Sequence, residues 1–334
     1  MKEQKTKTSE TRNASGVADG HIKEFVKTQI AQLREKLNGK KVLCAFSGGV
    51  DSAVVAALIH KAAPESLISV FIDHGLIRKG EPEEIKRVFQ DGLGMNLIMV
   101  DASKRFLAAL KYVTDPERKR KIIGEEFIRS FESEAKKIGK VNFLAQGTIK
   151  TDVTESGIGG KLIKSHHNVG GLPNVVDFEE IIEPLRDLYK DEVRKVGLEL
   201  GLPKEAVYRQ PFPGPGLGIR VMGAITREKL DVLREADYIF RDEIAAAGLA
   251  GEIWQYFAVL TDTKNVGIRN GARVYNHVVA LRAVKSVDAR EADWAQIPLD
   301  VLAKVSKRIT DEIEQVTKVV YDITSKPPST IEWE

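Results

Sequence analysis

The segment SGGVDS, residues 47–52, is informative about the fold because of the residues on either side of it. Residues 42–46 form a short apolar run, which is typical of a strand buried on both faces. The Ala-rich stretch 52–63 is predicted to be helical. Gly48 and Gly49 allow positive φ and let backbone N–H groups approach an anion, and the start of a helix adds aligned donors. This context predicts a strand, a phosphate-binding loop and a helix in succession.

The side chains of this loop add two hydroxyl donors and one carboxylate. Asp51 repels phosphate, so it is expected to orient the loop or to meet the Mg²⁺ that ATP carries. A Walker loop is excluded because the chain has no GKS or GKT. The alternative is a tight strand-to-helix turn with an Asx cap. The residues predicted to bind the phosphates are Ser47, Gly48, Gly49, Val50, Asp51 and Ser52.

Strands and helices alternate beyond this loop, which predicts an α/β fold with a doubly wound parallel sheet. Sites in such sheets lie at the carboxyl ends of the strands. Asp73 follows the second predicted strand and is a candidate for ribose or Mg²⁺ binding, with an Asp-His-Gly turn as the alternative. Further strands are predicted at 67–72, 96–100 and 142–146, and helices at 21–37, 81–91, 103–110, 116–138 and 191–200.

Changes in composition along the chain predict three parts. Residues 1–20 hold almost no large apolar side chains and are expected to be a flexible tail. Residues 21–210 form the nucleotide domain, in which the glycine-rich stretch 151–177 has no apolar period and is expected to be a mobile lid. The segment PFPGPGLGIR, 211–220, marks the boundary to a smaller α+β domain, 211–334. That domain is expected to hold helices at 227–246 and 299–315 and strands at 255–260, 273–284 and 319–323.

The overall composition limits the function classes. The formal net charge is +3, which suits an anionic ligand but is too small to favour nucleic acid. No run of eighteen apolar residues and no signal-peptide pattern occurs. Cys44 is the single cysteine, which excludes a disulfide framework and a CxxC pair within the chain. A cytoplasmic location is expected.

The loop SGGVDS resembles the PP-loop of the N-type ATP pyrophosphatases, which cleave ATP between its α and β phosphates and pass AMP to an oxygen. Further segments closely resemble the synthetase portion of GMP synthase, and the likeness runs from about residue 42 to the last residue. This resemblance implies an adenine nucleotide alpha hydrolase-like fold, followed by a dimerisation domain. The segments are DPERKRKIIG (115–124), LAQGTIKTDVTES (144–156), IKSHHNVGGLP (163–173), PFPGPGLGIR (211–220) and KPPSTIEWE (326–334).

The family converts XMP, ATP and ammonia into GMP, AMP and pyrophosphate through an adenylated XMP, with Mg²⁺ accompanying ATP. Carried onto this sequence, the resemblance implies catalytic roles for Asp152, Glu155, Lys161 and Lys164, with Asp51 and Asp152 at the metal. It implies a lid containing His166, His167 and Asn168. It also places XMP at Pro213, Gly214, Gly216, Gly218, Arg220, Lys326 and Glu332.

Purely structural alternatives stay open for most of these residues. A capping role is the alternative for Asp152 and Glu155, a polar loop for the segment around His166, and a stiff linker for residues 211–220. The cationic run Arg118–Lys121 is either a phosphate-neutralising cluster or a solvated helix face.

Many members of this family carry a glutaminase domain before the PP-loop, whereas about 40 residues precede it here. The expectation is therefore a synthetase subunit that uses ammonia, partnered by a separate glutamine amidotransferase subunit and forming a homodimer through residues beyond 211. Two rivals remain. One is a PP-loop enzyme that modifies tRNA, and the other is a catalytically silent nucleotide-binding module.

Overall fold

The structure is a computed structural model that describes residues 19–157, 178–287 and 289–334, without the side chains of Asp19 and of residues 155–157. The predicted tail before residue 19 and the predicted lid from residue 158 to residue 177 lie outside the described residues. None of the helices in these three ranges is long and apolar enough to cross a membrane.

Within the described residues, five parallel strands form a sheet in the order β3-β2-β1-β4-β5. The order reverses direction at β1, so the loops after β1 and β4 diverge there and open a crevice at the carboxyl edge. The strands are β1 (Val42–Ala45), β2 (Leu67–Asp73), β3 (Leu97–Asp101), β4 (Phe143–Ala145) and β5 (Glu180–Ile182).

Helices cover both faces of this sheet because successive side chains in a strand point to opposite sides. Val42 and Cys44 face a cluster that includes α1, α2 and α7, whereas Leu43 faces α4 and α5. The doubly wound prediction is thereby confirmed. The helices are α1 (Asp19–Leu37), α2 (Val50–Ala62), α3 (Glu81–Ile85), α4 (Ser103–Ala109), α5 (Pro116–Ile138), α6 (Lys150–Gly157), α7 (Lys190–Glu199) and α8 (Lys204–Val207).

A second sheet follows, in which β7 is the central strand. In the described part of the chain, β7 pairs antiparallel with β6 and β8 and parallel with β9. Its strands are β6 (Gln255–Arg269), β7 (Ala272–Lys285), β8 (Asp293–Trp294) and β9 (Val316–Asp322), accompanied by α9 (Arg227–Ala246) and α10 (Leu299–Glu312). Leu43 and Val70 of the first sheet belong to the same buried cluster as Phe240 and Val279 of this second unit, so the two units share a core.

Elements that are short, polar or exposed differ most from the sequence prediction. The stretch expected to be irregular from residue 151 begins with α6, whose polar sequence KTDVTESG has no apolar stripe to reveal it. The strand β5 has only three residues, too few to show a period. The strand β6 extends to Arg269, nine residues beyond its predicted end, because its outer half is paired with β7 but is largely exposed.

Candidate active site

The loop between β1 and α2 leaves helix donors open toward the crevice. Gly48 has φ +77°, and a Cβ added there would lie 2.7 Å from Ile85 Cδ1, so both conformation and space require glycine. The hydroxyl of Ser52 donates to the Gly49 carbonyl, 3.0 Å away, and accepts from the Ser47 amide at 3.2 Å. Gly49 caps α2 without any side-chain hydrogen bond. The first-turn amides therefore remain available to an anion.

Asp51 forms an ion pair across the crevice with Lys190, the first residue of α7, at 2.6 Å between Oδ2 and Nζ. Its other oxygen, Oδ1, is buried and has no hydrogen-bond partner among the described residues. Burying such an oxygen is costly unless it meets a cation or a donor. A metal ion bound by Oδ1 of Asp51 would satisfy this oxygen.

The loop after β4 lies directly against the phosphate loop. A Cβ built on Gly147 would lie 3.1 Å from the Cβ of Asp51, so the two loops meet at the point where the sheet order reverses. Asp152, on α6, accepts a hydrogen bond from the Ile149 amide through Oδ2 at 3.1 Å. A capping contact is thus present, and the catalytic and metal roles given to Asp152 remain predictions.

The loop after β2 is a buried turn. Asp73 Oδ1 accepts from the Gly75 amide at 2.8 Å, and burial raises the pKa of its carboxyl group. His74 accepts from the Leu76 amide through Nδ1 at 3.1 Å, and burial lowers its pKa to about 4. The neutral ring therefore acts as a fixed acceptor. The predicted turn is present, and the ribose or Mg²⁺ role of Asp73 stays a prediction.

The segment 211–220 packs onto this β2 turn. Leu217 donates its amide to the Leu76 carbonyl at 2.7 Å, and Gly216, with φ +61°, has no room for a Cβ, which would lie 2.2 Å from the same oxygen. The amides of Gly216 and Gly218 donate to Pro213 and Pro215 within the segment. These glycines serve packing, Gly214 stands exposed at the tip, and the assignment of Pro213 and the three glycines to XMP remains a prediction.

Arg220 and Glu332, both predicted to contact XMP, lie together. Arg220 is fully buried and makes a two-pronged ion pair to Glu332, with Nε 3.0 Å and Nη2 2.8 Å from its oxygens. The guanidinium carbon lies 3.9 Å from the centre of the Phe257 ring. Arg220 Nη1 is buried and has no partner among the described residues. Gln255 Nε2 also donates to Glu332, at 3.0 Å.

Lys326 lies on the same C-terminal segment. Its backbone bridges to Ala292, and its Nζ donates to the Ala289 carbonyl at 2.8 Å. Six predicted residues cannot be placed: Glu155 has no described side chain, and Lys161, Lys164, His166, His167 and Asn168 lie in residues 158–177, outside the described residues. Of the cationic run, Lys119 is buried and pairs with Glu334, and Arg120 donates to the carbonyl of Glu334.

Three site residues were missed from the sequence. Lys190 and Arg209 reach the phosphate loop, the latter through a 3.5 Å hydrogen bond to the Gly48 carbonyl, and Gln255 reaches Glu332. Lys190 follows β5, the strand next to β4. Recognising β5 in the sequence would therefore have indicated that Lys190 lies near the crevice. For Arg209 and Gln255 the sequence holds no such signal.

The chain belongs to the family described by the NAD synthase model, which matches residues 21–217, more than half of its length. The model described as the GMP synthase C terminal domain matches residues 242–333. Both matches agree with the fold: the first covers the parallel sheet with its phosphate loop, and the second covers most of the β6–β9 unit. The resemblance drawn from the motifs is confirmed.

Curated relatives carry the name GMP synthase [glutamine-hydrolyzing]. Those of Acetivibrio thermocellus and Ruminiclostridium cellulolyticum are each 61% identical over 317 residues, which cover 95% of this chain and 62% of each relative. The chain thus spans about 62% of the length of the relatives it matches. The solved structure of NMN synthetase from Francisella tularensis has a TM-score of 0.44 and 16% identity, covering 64% of this chain and 86% of that one, which is too low to carry an argument.

Proposed function

We propose that this chain transfers AMP from ATP to the 2-oxygen of XMP, releasing pyrophosphate, and that ammonia then displaces AMP to give GMP. The observation that carries the proposal is the joining of two anion-binding features. The phosphate loop and the segment that carries Arg220 both pack on residues that follow β2: Gly48 lies against Ile85, and Leu217 donates to the Leu76 carbonyl. The names of the curated relatives support the same reaction.

The phosphate loop supplies what the first step requires. Negative charge grows on the α-phosphate oxygens and on the leaving pyrophosphate, and fixed donors stabilise it without reorganisation. The open first-turn amides of α2 and the Nζ of Lys190 are those donors in our proposal. Asp152, Glu155, Lys161 and Lys164 are assigned to the transfer step by resemblance. A segment closing over the site would exclude water from the adenylated intermediate.

Mg²⁺ fits the residues present at the loop. The buried Oδ1 of Asp51 is a hard oxygen without a hydrogen-bond partner among the described residues. No group of three or more His, Cys, Asp or Glu side chains able to hold a metal occurs in the described ranges. Mg²⁺ brought by ATP takes one or two carboxylates and completes its shell with phosphates and water. When bound, the ion would neutralise charge on the pyrophosphate.

Arg220 is our candidate for the XMP phosphate. Its guanidinium is held in one plane by Glu332 and Phe257, and Nη1 remains unpartnered among the described residues. A guanidinium fixed in this way binds phosphate with little loss of entropy. Glu332 and Lys326 lie on one segment beside it, and we propose that they complete the nucleotide contacts.

We further propose that free ammonia is the nitrogen source for this chain and that glutamine serves only with a separate glutaminase subunit. Glutamine hydrolysis by a thiol needs an accessible thiolate. Cys44, the single cysteine, is buried in β1, and burial raises the pKa of its thiol to about 12. The thiol of this chain is therefore unfit for that role.

A homodimer through the C-terminal unit is part of the proposal. The outer part of the β6–β7 hairpin, residues 264–277, carries Val266, Ile268 and Tyr275 with 51%, 81% and 63% of their surfaces exposed. Val266 and Tyr275 are directly paired across the two strands. An exposed apolar stripe of this kind is typical of a protein contact.

The test combines purified chain with Mg-ATP, XMP and ammonium and follows GMP, AMP and pyrophosphate. We expect equal amounts of the three products and none without XMP. The D51N variant should lose activity by about 100-fold, whereas D91N, an exposed aspartate outside the site, should match the parent. Absence of XMP-dependent AMP would indicate a silent nucleotide-binding module, and AMP release that depends on tRNA would favour the tRNA-modifying alternative.

A further inference from the structure

Arg282 lies near the end of β7, and its guanidinium is fully buried although it carries a charge. Nη1 donates to the Thr324 carbonyl at 2.5 Å, and Nη2 donates to the Thr330 carbonyl at 3.1 Å. Nη1 also pairs with Asp322 Oδ2 at 3.2 Å. The guanidinium therefore reaches both ends of the turn that carries Lys326.

The partner of Arg282 reaches the far end of the same segment. Asp322 Oδ2 accepts a hydrogen bond from Trp333 Nε1 at 3.0 Å, and its Oδ1 accepts from the Thr324 amide at 2.9 Å. Residues 322–333, which we name the tail loop, are thereby closed on themselves around one buried cation. Glu332, next to Trp333, is held opposite Arg220 by this closure.

A buried arginine in a strand is a costly way to stabilise a sheet. Apolar side chains of similar volume stabilise such a position as well or better, unless the charge has acceptors that need it. Here the acceptors are two carbonyls and a carboxylate of the tail loop, and they belong to a segment with few apolar anchors of its own: Ile331 and Trp333. The buried charge therefore stabilises the conformation of the tail loop.

We propose that Arg282 is a positioning residue for XMP, which fixes the tail loop so that Lys326 and Glu332 meet the nucleotide. This inference rests on the proposed function. The contacts of Arg282 are with Thr324, Thr330 and Asp322 of the tail loop, so we expect its effect to reach the substrate through that loop. Its loss should weaken XMP binding while the phosphate loop and ATP binding stay intact.

The test compares R282M with R308M. Arg308, on α10 of the same unit, also pairs with several carboxylates, those of Asp242, Glu243 and Glu312, but none lies in the tail loop. Hydrogen exchange of residues 323–334 should be faster in R282M than in the parent and unchanged in R308M. The KM for XMP should rise about 10- to 100-fold in R282M, with the KM for ATP unchanged.

The R282K variant provides a second test in case R282M does not fold. A lysine keeps the charge but cannot reach two carbonyls and a carboxylate together, so the same changes should appear at smaller size. Parent-like exchange of the tail loop in both variants, or faster exchange with an unchanged KM for XMP, would overturn the inference. The exchange measurement needs no turnover, so it still decides whether Arg282 fixes the tail loop if the chain proves inactive on XMP, a result that would refute the proposed function.

Discussion

His74 is a buried ring whose protonation the fold opposes. The unfolded chain has the ordinary histidine pKa of 6.5, and burial lowers the folded pKa to about 4. Between these values the unfolded state binds more protons, so stability is complete above about pH 6.5 and falls as the pH drops toward 4. From pH 7 to pH 5 this site alone should cost about 2 kcal/mol.

The H74N variant tests that contribution. Asparagine keeps a side-chain acceptor for the Leu76 amide but does not titrate. We expect urea unfolding at pH 7 and pH 5 to show a loss of stability about 2 kcal/mol smaller in H74N than in the parent. Equal losses in the two proteins would show that His74 is not the group that titrates.

Lys190 is the cation nearest to the phosphate loop among the described residues that pair with it. In K190M, Asp51 loses its partner and the bound phosphates lose a charge-assisted donor. We expect kcat/KM for ATP to fall by about 100-fold. K195M, on the same helix, is the matched control and should stay close to the parent. If K190M had the same kcat/KM for ATP as the parent, Lys190 would not be part of the ATP site.

Single residues near the crevice are predictable from the sequence where a motif surrounds them and are not predictable without one. Ser47 to Ser52 stand in a run whose strand and helix can both be predicted, and the structure places them at the crevice. Arg209 and Gln255 reach the site from loop and strand positions that only tertiary packing defines. The motif predicts a role for Arg220, but the sequence cannot show that it is buried against Phe257, because that ring belongs to another element.

Gly216 holds two elements together. Its left-handed φ and its contact with the Leu76 carbonyl exclude any side chain. In G216A, we expect the segment 211–220 to separate from the β2 turn, with a loss of about 2–4 kcal/mol in unfolding free energy. G214A, at the exposed tip, should change stability by less than about 0.5 kcal/mol. Denaturant titration measures both, and similar values would contradict the packing role.

Elements with strong periods were predictable, and short or polar ones were not. The helices at 116–138 and 227–246 agree with the structure to the residue, because caps at Asp115 and Thr226 precede long amphipathic patterns. The strand β5 and the helix α6 carry no comparable pattern, since three residues show no alternation and KTDVTESG has no apolar face. Neighbouring elements, rather than local preference, determine them.

Because the two units share a core, we expect them to unfold together in one cooperative transition. All three tryptophans lie at 254, 294 and 333, in the second unit, whereas Cys44 lies in β1 of the first. Unfolding followed by tryptophan fluorescence should therefore coincide with exposure of the Cys44 thiol to a thiol reagent. Separate midpoints would show that residues 21–210 and 211–334 unfold independently.

In the proposed homodimer, the outer part of the β6–β7 hairpin would make the stability of this chain depend on its concentration. If two copies cover each other's Val266–Tyr275 stripe, folding is linked to association, and mass action adds to the free energy of unfolding. Dilution should then lower the melting temperature, and a charged substitution at Ile268 should abolish that dependence. If dilution has this effect, variants and parent have to be compared at one fixed protein concentration.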